Sequence, residues 1–290
     1  MRSRTITSWQ ELRGGNMLLA EISSEAVKCC EAGFKHGMIH NCMIWYTDQS
    51  AIVGVWVLVV QEESWRGYLS FVKDVINQAL CAQIGRIFEQ TLGELDRRRF
   101  YVHLNGINSL LADVIVQTGF VQELSVIHYV LTKHVASPLL RRPLTRTGFQ
   151  PPDFTRYQKL FGDAYYPLRK EHNFLPFNWY QESPKEAHAE FVAANQRGDF
   201  AGFWEGDRLI GAYMTFEDEI DSIVVHPHFQ GRGYGTMILQ DCITHILRRY
   251  PQVFLSVMES NSRAQRLYEH MGFRRISWYK ELVYEQTLSK

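Results

Sequence analysis

The sequence predicts an α/β chain with a mixed sheet, written as two copies of one fold in tandem. Three observations predict it. A stretch rich in proline and arginine, His134 to Asp153, interrupts the middle of the 290 residues and reads as a linker between domains. On both sides of it the apolar pattern runs in the same order of hairpin strands, helix, strand, helix and strand. The two sides also share a register: Gly272-Phe273 lies 153 residues after Gly119-Phe120, and Asn261 lies 153 after Asn108. The expected domains are residues 1–137 and 138–290.

In the second half, Asp207 to Phe216 and Glu219 to Val225 are apolar and β-branched and flank the acidic turn Glu217-Asp218, which predicts a hairpin. Gly235 to Arg249 carries Met237, Ile238, Cys242, Ile243, Ile246 and Leu247 at helical spacing, with arginines in the last turn and Pro251 as a stop. Val253 to Met258 is a short strand. Ser260-Asn261 opens a helix that Gly272 closes, and Phe273 to Tyr284 is the last strand. The 153-residue offset carries these onto a helix Gln83 to Arg98, a strand Phe100 to Asn105 and a strand Val121 to Leu131. Upstream, Gly54 and Gly211 are 157 apart, so the halves differ there by an insertion or deletion. Val55 to Val60 is too apolar for a strand with an exposed face and must pack against helices or the other domain. Arg97-Arg98-Arg99 reads as a solvated helix end.

Composition narrows the function. Thirty-one basic residues balance 31 acidic ones, so no global field draws the chain to nucleic acid or an anionic membrane. Hydrophobic residues make up 46%, enough for a large core and against general disorder. The apolar run Ala51 to Val60 is about half of the ~20 residues that a membrane helix needs. Met1 to Gln10 lacks the apolar stretch of a secretory signal. Five cysteines without metal-ligand spacing read as free thiols in a reducing cytoplasm.

The segment Ile220 to Thr236, IDSIVVHPHFQGRGYGT, passes from an apolar strand through a glycine turn into a helix. Glycines at 231, 233 and 235 leave backbone N–H groups uncovered at a helix N-terminus, which suits phosphate, or simply make a tight connection. The spacing is neither a P-loop nor GxGxxG. His226 and His228 flank Pro227 as a surface pair or an HxH metal pair.

Q-x-x-G-x-G directly after a strand, followed by VFLSVMESNSRAQRLYEHMGF at residues 253 to 273, resembles the GCN5-related N-acetyltransferase (GNAT) family over about residues 198 to 285. The resemblance implies tandem GNAT-like domains and acetyl-CoA as co-substrate, with no metal. It implies that backbone groups of Val224 and Val225 pair with the pantetheine arm, a backbone N–H near Val225 serving as oxyanion donor. Gln230, Gly231, Arg232, Gly233, Tyr234, Gly235 and Thr236 would surround the pyrophosphate. Asn261, followed by Ala264 three residues on, would hold the pantetheine amides, a role compatible with capping its helix. Tyr268, two turns further along that face, would give a proton to the departing thiolate or else be a structural tyrosine. An amine of pKa about 10 must first lose a proton. Glu219, which matches a carboxylate that some family members carry near the start of this strand, is the first expected base and Asp221 the second, directly or through water, unless both are the solvated edge of an acidic turn.

The offset puts Leu80 and Ala82 where Gly233 and Gly235 stand, Asn77 at Gln230 and Ile115 at Tyr268. The first copy is therefore expected to be degenerate, without acetyl-CoA binding. Asp163 to Tyr180 lies where the family shapes its acceptor site, and its six aromatics either line a pocket or pack helices. The expected activity is N-acetylation of a primary amine on a small molecule or peptide by a cytoplasmic monomer or homodimer. The alternative is a non-catalytic acyl-CoA-binding regulator.

Overall fold

The computed structural model describes residues 1–62, 64–94, 99–132 and 144–285. They form two compact units, Met1–Ile127 with Ser277–Lys290, and His128–Ile276. Half of the expected linker, residues 134–143, lies outside the described residues, as do Arg97 and Arg98 of the expected basic helix end. The remainder is structured rather than a linker, giving a short strand at Thr145–Thr147 and a 3-10 turn at Pro151–Asp153.

The first half contains β1 (Arg2–Thr5), α1 (Asn16–Ala20), α2 (Ser24–Lys35), β2 (Ile39–Tyr46), β3 (Ile52–Val60), β4 (Ser64–Phe71), α3 (Gln78–Glu94), β5 (Arg99–Asn105), α4 (Ser109–Gln117) and β6 (Val121–Leu131). β1 to β4 form an antiparallel meander, and β5 joins β4 in parallel. β3 shows why its sequence is apolar throughout. Its side chains alternate: Trp56 and Leu58 enter a core with Ile84, Phe88 and Phe100. Val55, Val57 and Val59 enter another with Leu19 and Cys30. Helices cover both faces, leaving no polar side.

The second half contains β7 (Thr145–Thr147), α5 (Phe154–Glu171), α6 (Trp179–Glu182), α7 (Pro184–Gln196), β8 (Phe200–Glu205), β9 (Arg208–Phe216), β10 (Glu219–Val225), α8 (Tyr234–Leu247), β11 (Val253–Met258), α9 (Ser262–His270) and β12 (Arg274–Tyr284). β7 to β10 are antiparallel and β11 runs parallel to β10. α5 to α7 cover one core of this unit with Tyr157, Phe161 and Phe191, packed on Phe200 and Trp204 of β8. The stripe predicted for α8 is buried at Ile238, Cys242, Ile243 and Ile246.

Two features depart from the sequence expectations. The last strand of each half ends in the other half's unit. Tyr279 to Tyr284 of β12 pair antiparallel with β5 in the first unit. There Glu281 meets His103 Nδ1 at 3.1 Å and Trp278 Nε1 donates to Ser125 Oγ at 2.6 Å. In the second unit, His128 of β6 is hydrogen-bonded to Ser256 of β11 at 2.9 Å, and the Tyr129 hydroxyl donates to Glu269 at 2.9 Å. The other departure is α3, which begins at Gln78 rather than Gln83 because Asn77 Oδ1 accepts the Leu80 N–H at 3.0 Å and caps the added turn.

Candidate active site

The site grows from a strand that loses one neighbour. β10 starts beside β11, with Glu219 opposite Phe254 and Ile220 opposite Leu255. Asp221 is then fitted in as a bulge, since Ile220 faces Thr215 of β9 and Ser222 already faces Met214. Beyond it the ladder to β9 continues to the Val225–Gly211 pair, whereas among the described residues the ladder to β11 has stopped. The backbone edge of Ser222 to Val225 turned away from β9 is thus available to a ligand lying as an added strand. Gly211 permits the close approach of β9, because a Cβ there would come within 2.4 Å of the Val224 carbonyl oxygen.

The chain then turns into α8. Gly231 and Gly233 take φ of 75° and 85°, a region costly for other residues. Gly233 begins the helix without a side-chain cap, and the first turn holds no acid. Its leading N–H groups and positive dipole end therefore face outward uncompensated. Gly235 is less demanding, since a Cβ there makes an ordinary 3.5 Å contact with Leu267. Gln230 ties the turn on both sides, its Nε2 donating to the Val225 carbonyl at 3.0 Å and its Oε1 accepting from Arg263 at 2.6 Å. Arg263 was not foreseen from the sequence, although a cation in the first turn of α9 opposes the helix dipole and was a readable signal. The expected cation, Arg232, lies over the Phe229 ring at 5.9 Å. Tyr234 is 3% exposed with its hydroxyl donating to Glu205 at 3.0 Å, so it offers the turn its backbone alone. Thr236 follows in the first turn of α8.

On α9 the Asn261 Oδ1 accepts the Ala264 N–H at 3.1 Å, so the capping role is filled. Tyr268 is 7% exposed, its ring 6.3 Å from Tyr129 and 5.9 Å from Phe273. Burial first, then the neighbouring Tyr165 and Cys242, push its hydroxyl above the ordinary tyrosine value. It remains a proton donor at neutral pH.

The carboxylates of β10 differ in setting. Glu219 accepts from Ser256 Oγ at 3.2 Å, and Ser256 is in turn bonded to His128. Burial raises the Glu219 carboxyl, the Ser256 bond opposes this, and Asp221 and Asp218 add to the rise. His128, from the first half of the sequence, was not legible as a neighbour of this site. Asp221 accepts from Ser222 Oγ at 3.0 Å and is also raised, chiefly by burial. His226 Nδ1 accepts the His228 N–H at 3.3 Å. An open cleft of about 520 Å3 borders this loop, lined by Lys159, Asp163, Tyr166, Asn178, Gln181 and His226 among others. Of the aromatic segment, Tyr166 lines this cleft, whereas Tyr180 packs in the core.

The corresponding place in the first unit is closed. β4 and β5 pair continuously from Ser64–Arg99 to Leu69–Leu104. Phe71 stands opposite Gly54 as Val225 stands opposite Gly211. Its N–H donates to Asn108 Oδ1 at 3.0 Å, and Asn108 is the counterpart of Asn261. The two groups that the resemblance assigns to pantetheine thus satisfy one another. Leu80 and Ile115, at the counterparts of Gly233 and Tyr268, are buried.

Residues 154–273 match the model of the acetyltransferase (GNAT) family. The chain is 28% identical over 103 residues to the spermine/spermidine N(1)-acetyltransferase of Bacillus subtilis, covering 32% of this chain and 65% of that one. It is 34% identical over 89 residues to the N-alpha-acetyltransferase RimI of Mycobacterium tuberculosis, covering 31% and 54%. The matches thus span about half to two thirds of these relatives. A GCN5-related N-acetyltransferase from Sphaerobacter thermophilus shares the fold over 98% of this chain and 95% of its own, with a TM-score of 0.58 and 15% identity. What these comparisons share is a likeness of residues 154–273 to the GNAT acetyltransferase family.

Proposed function

We propose that this chain is an acetyl-CoA-dependent N-acetyltransferase that works through the second unit and acetylates a primary amine of a small molecule or peptide directly. The observation that carries this reading is the parting of β10 from β11 immediately before an uncapped glycine turn. Backbone groups of Val224 and Val225 hold the pantetheine arm as an added strand, with Asn261 and Ala264 at the start of α9 on its other side. The turn from Gln230 to Thr236 takes the pyrophosphate on its N–H groups, and Arg232 and Arg263 supply positive charge. Bound there, acetyl-CoA supplies an acyl thioester open to attack by an amine.

The chain's own groups handle the protons and the developing charge. The N–H at Val225, held by the β9 pairing, is aimed to receive negative charge on the carbonyl oxygen. Tyr268 gives a proton to the leaving sulfur, and its raised pKa keeps that proton in place until it is needed. Glu219 or Asp221 receives the proton of the acceptor amine. In the first unit the continuous β4–β5 ladder and the Phe71–Asn108 bond support a single acetyl-CoA site per chain.

The test is thiol release by the full chain over a panel of primary amines, with Tyr268→Phe alongside. Turnover that falls about 100-fold in the variant, with unchanged acetyl-CoA binding, is expected. Binding without turnover on any amine points to the regulatory alternative.

A further inference from the structure

Of the two expected bases, Glu219 is the one tied to other strands. It opens β10 opposite Phe254 of β11, and Ser256, two residues further along β11, shares that face of the sheet just where β10 has left the ladder. Ser256 Oγ donates to Glu219 Oε1 at 3.2 Å and meets His128 Nδ1 at 2.9 Å, from β6 on the other side of β11. Side chains of three neighbouring strands thus form one line that ends where β10 parts from β11. Asp221, set in the bulge, accepts instead from the hydroxyl of its own neighbour Ser222.

Donor counting fixes the direction of the line. A serine hydroxyl has one hydrogen, and here it points at the Glu219 carboxylate, so His128 Nδ1 must carry a proton and donate to Ser256 Oγ. Burial lowers the His128 imidazole, which is therefore uncharged at neutral pH, and Nδ1 remains a donor in either charge state. On Glu219, burial raises the carboxyl most, the Ser256 bond opposes this, and Asp221 and Asp218 add to the rise. Arg197, which follows α7, lies over the ring of Phe216 at 5.3 Å, and Phe216 is the partner of Glu219 on β9. Arg197, Tyr165 of α5 and Glu190 of α7 bear on Asp221.

Resting on the acetyltransferase reading, we propose that Glu219 is the base and that Ser256 and His128 are positioning residues behind it: His128 fixes the Ser256 hydroxyl, and Ser256 holds Oε1 so that Oε2 meets the ammonium group of the acceptor. In the step, one N–H bond of the ammonium breaks and its electron pair stays on nitrogen, which becomes the nucleophile. The proton forms an O–H bond on Oε2, and the two hydrogen bonds behind the carboxyl stay as they are. Glu219 is exposed, so the proton leaves to water after transfer. A strand that begins in the first half of the sequence thereby supplies a residue to the chemistry of the second unit.

The experiment uses the full chain, saturating acetyl-CoA and a primary amine that the wild type turns over. kcat and kcat/KM are followed from about pH 5.5 to 9 for wild type, Ser256→Ala, Ser256→Thr, His128→Leu, His128→Asn, the Ser256→Ala/His128→Leu double variant and Asp221→Asn, with acetyl-CoA binding measured calorimetrically on each. Without the Ser256 hydroxyl the ionised carboxylate loses a bond that favours it. The acid limb of Ser256→Ala is therefore expected to move to higher pH by about one unit. Its kcat falls about tenfold, while KM for the amine and acetyl-CoA affinity are unchanged. His128→Leu moves the limb the same way by less, and the double variant is no worse than Ser256→Ala alone, because His128 acts through the serine. Ser256→Thr and His128→Asn, which keep a hydroxyl and a donor, recover most of the loss. An acid limb unmoved in Ser256→Ala, one moved only by Asp221→Asn, losses that add in the double variant, or a fall in acetyl-CoA affinity in their place overturns the line while leaving the acetyltransferase reading intact. A wild type that binds acetyl-CoA and releases no thiol with any amine removes that reading and the line with it.

Discussion

Gly233 starts α8 with φ of 85° and no side-chain cap, at the end proposed here to take the pyrophosphate. Replacing it by alanine imposes about 1–2 kcal/mol of backbone strain on an L residue, and we expect acetyl-CoA affinity to fall about tenfold by calorimetry, with Gly235→Ala affected less. The Tyr268 hydroxyl is pushed above its ordinary value, so no alkaline loss of activity from this group is expected at or below about pH 9. An alkaline limb near pH 8 that disappears in Tyr268→Phe contradicts that assignment. At this scale the sequence speaks where chemistry is local. Glycines that must take positive φ, or an asparagine that caps its own helix, announce themselves. Arg263 was readable as a cation set against its helix dipole, whereas His128 acquires its position from an element distant in the chain, so neither spacing nor composition marks it.

Between elements, the decisive contrast is how two similar helices begin. α8 starts from glycines with its N–H groups uncovered, while α3 gains a turn capped by Asn77 and buries Leu80 there. The strand-helix-strand order was readable from periodicity, and α4 and α9 fall 153 residues apart at both ends. The early start of α3 was not, because a cap at Asn77 competes with the register carried over from the other half. β9 and β10 depend on Gly211, and Gly211→Ala should destabilise by about 1–3 kcal/mol, read as a lower urea midpoint. Asp199 joins β8 to the end of α8. Burial raises its carboxyl, but hydrogen bonds from Arg249 at 2.5 Å and Arg197 at 3.2 Å outweigh this and leave it below the usual value. A depressed folded pKa means stability that is present above about pH 4 and is lost as pH falls through the folded value. Asp199→Asn should therefore be less stable at neutral pH, and the difference from wild type should shrink on acidification; a constant difference contradicts the linkage.

For the whole molecule, the sequence disclosed two copies but not which strand completes which sheet. β12 was legible as the strand after the Gly272 stop and β6 through the 153-residue offset, whereas partners are chosen by long-range pairing that periodicity does not encode. Tyr279–Tyr284 complete the first unit on β5, and His128 and Tyr129 bond to Ser256 and Glu269 in the second. A fragment beginning at residue 144 lacks His128 and Tyr129, and we expect it to melt lower than the full chain and to lose acetyl-CoA binding. A fragment as stable and as competent as the full chain contradicts this dependence. The central claim, one acetyl-CoA site at the parting of β10 and β11, is tested most directly by the calorimetric stoichiometry of acetyl-CoA binding to the full chain and to Gly233→Leu. One molecule bound per chain, lost in the variant that remains folded, is the predicted result. Two molecules per chain, or binding that survives the substitution unchanged, contradicts it.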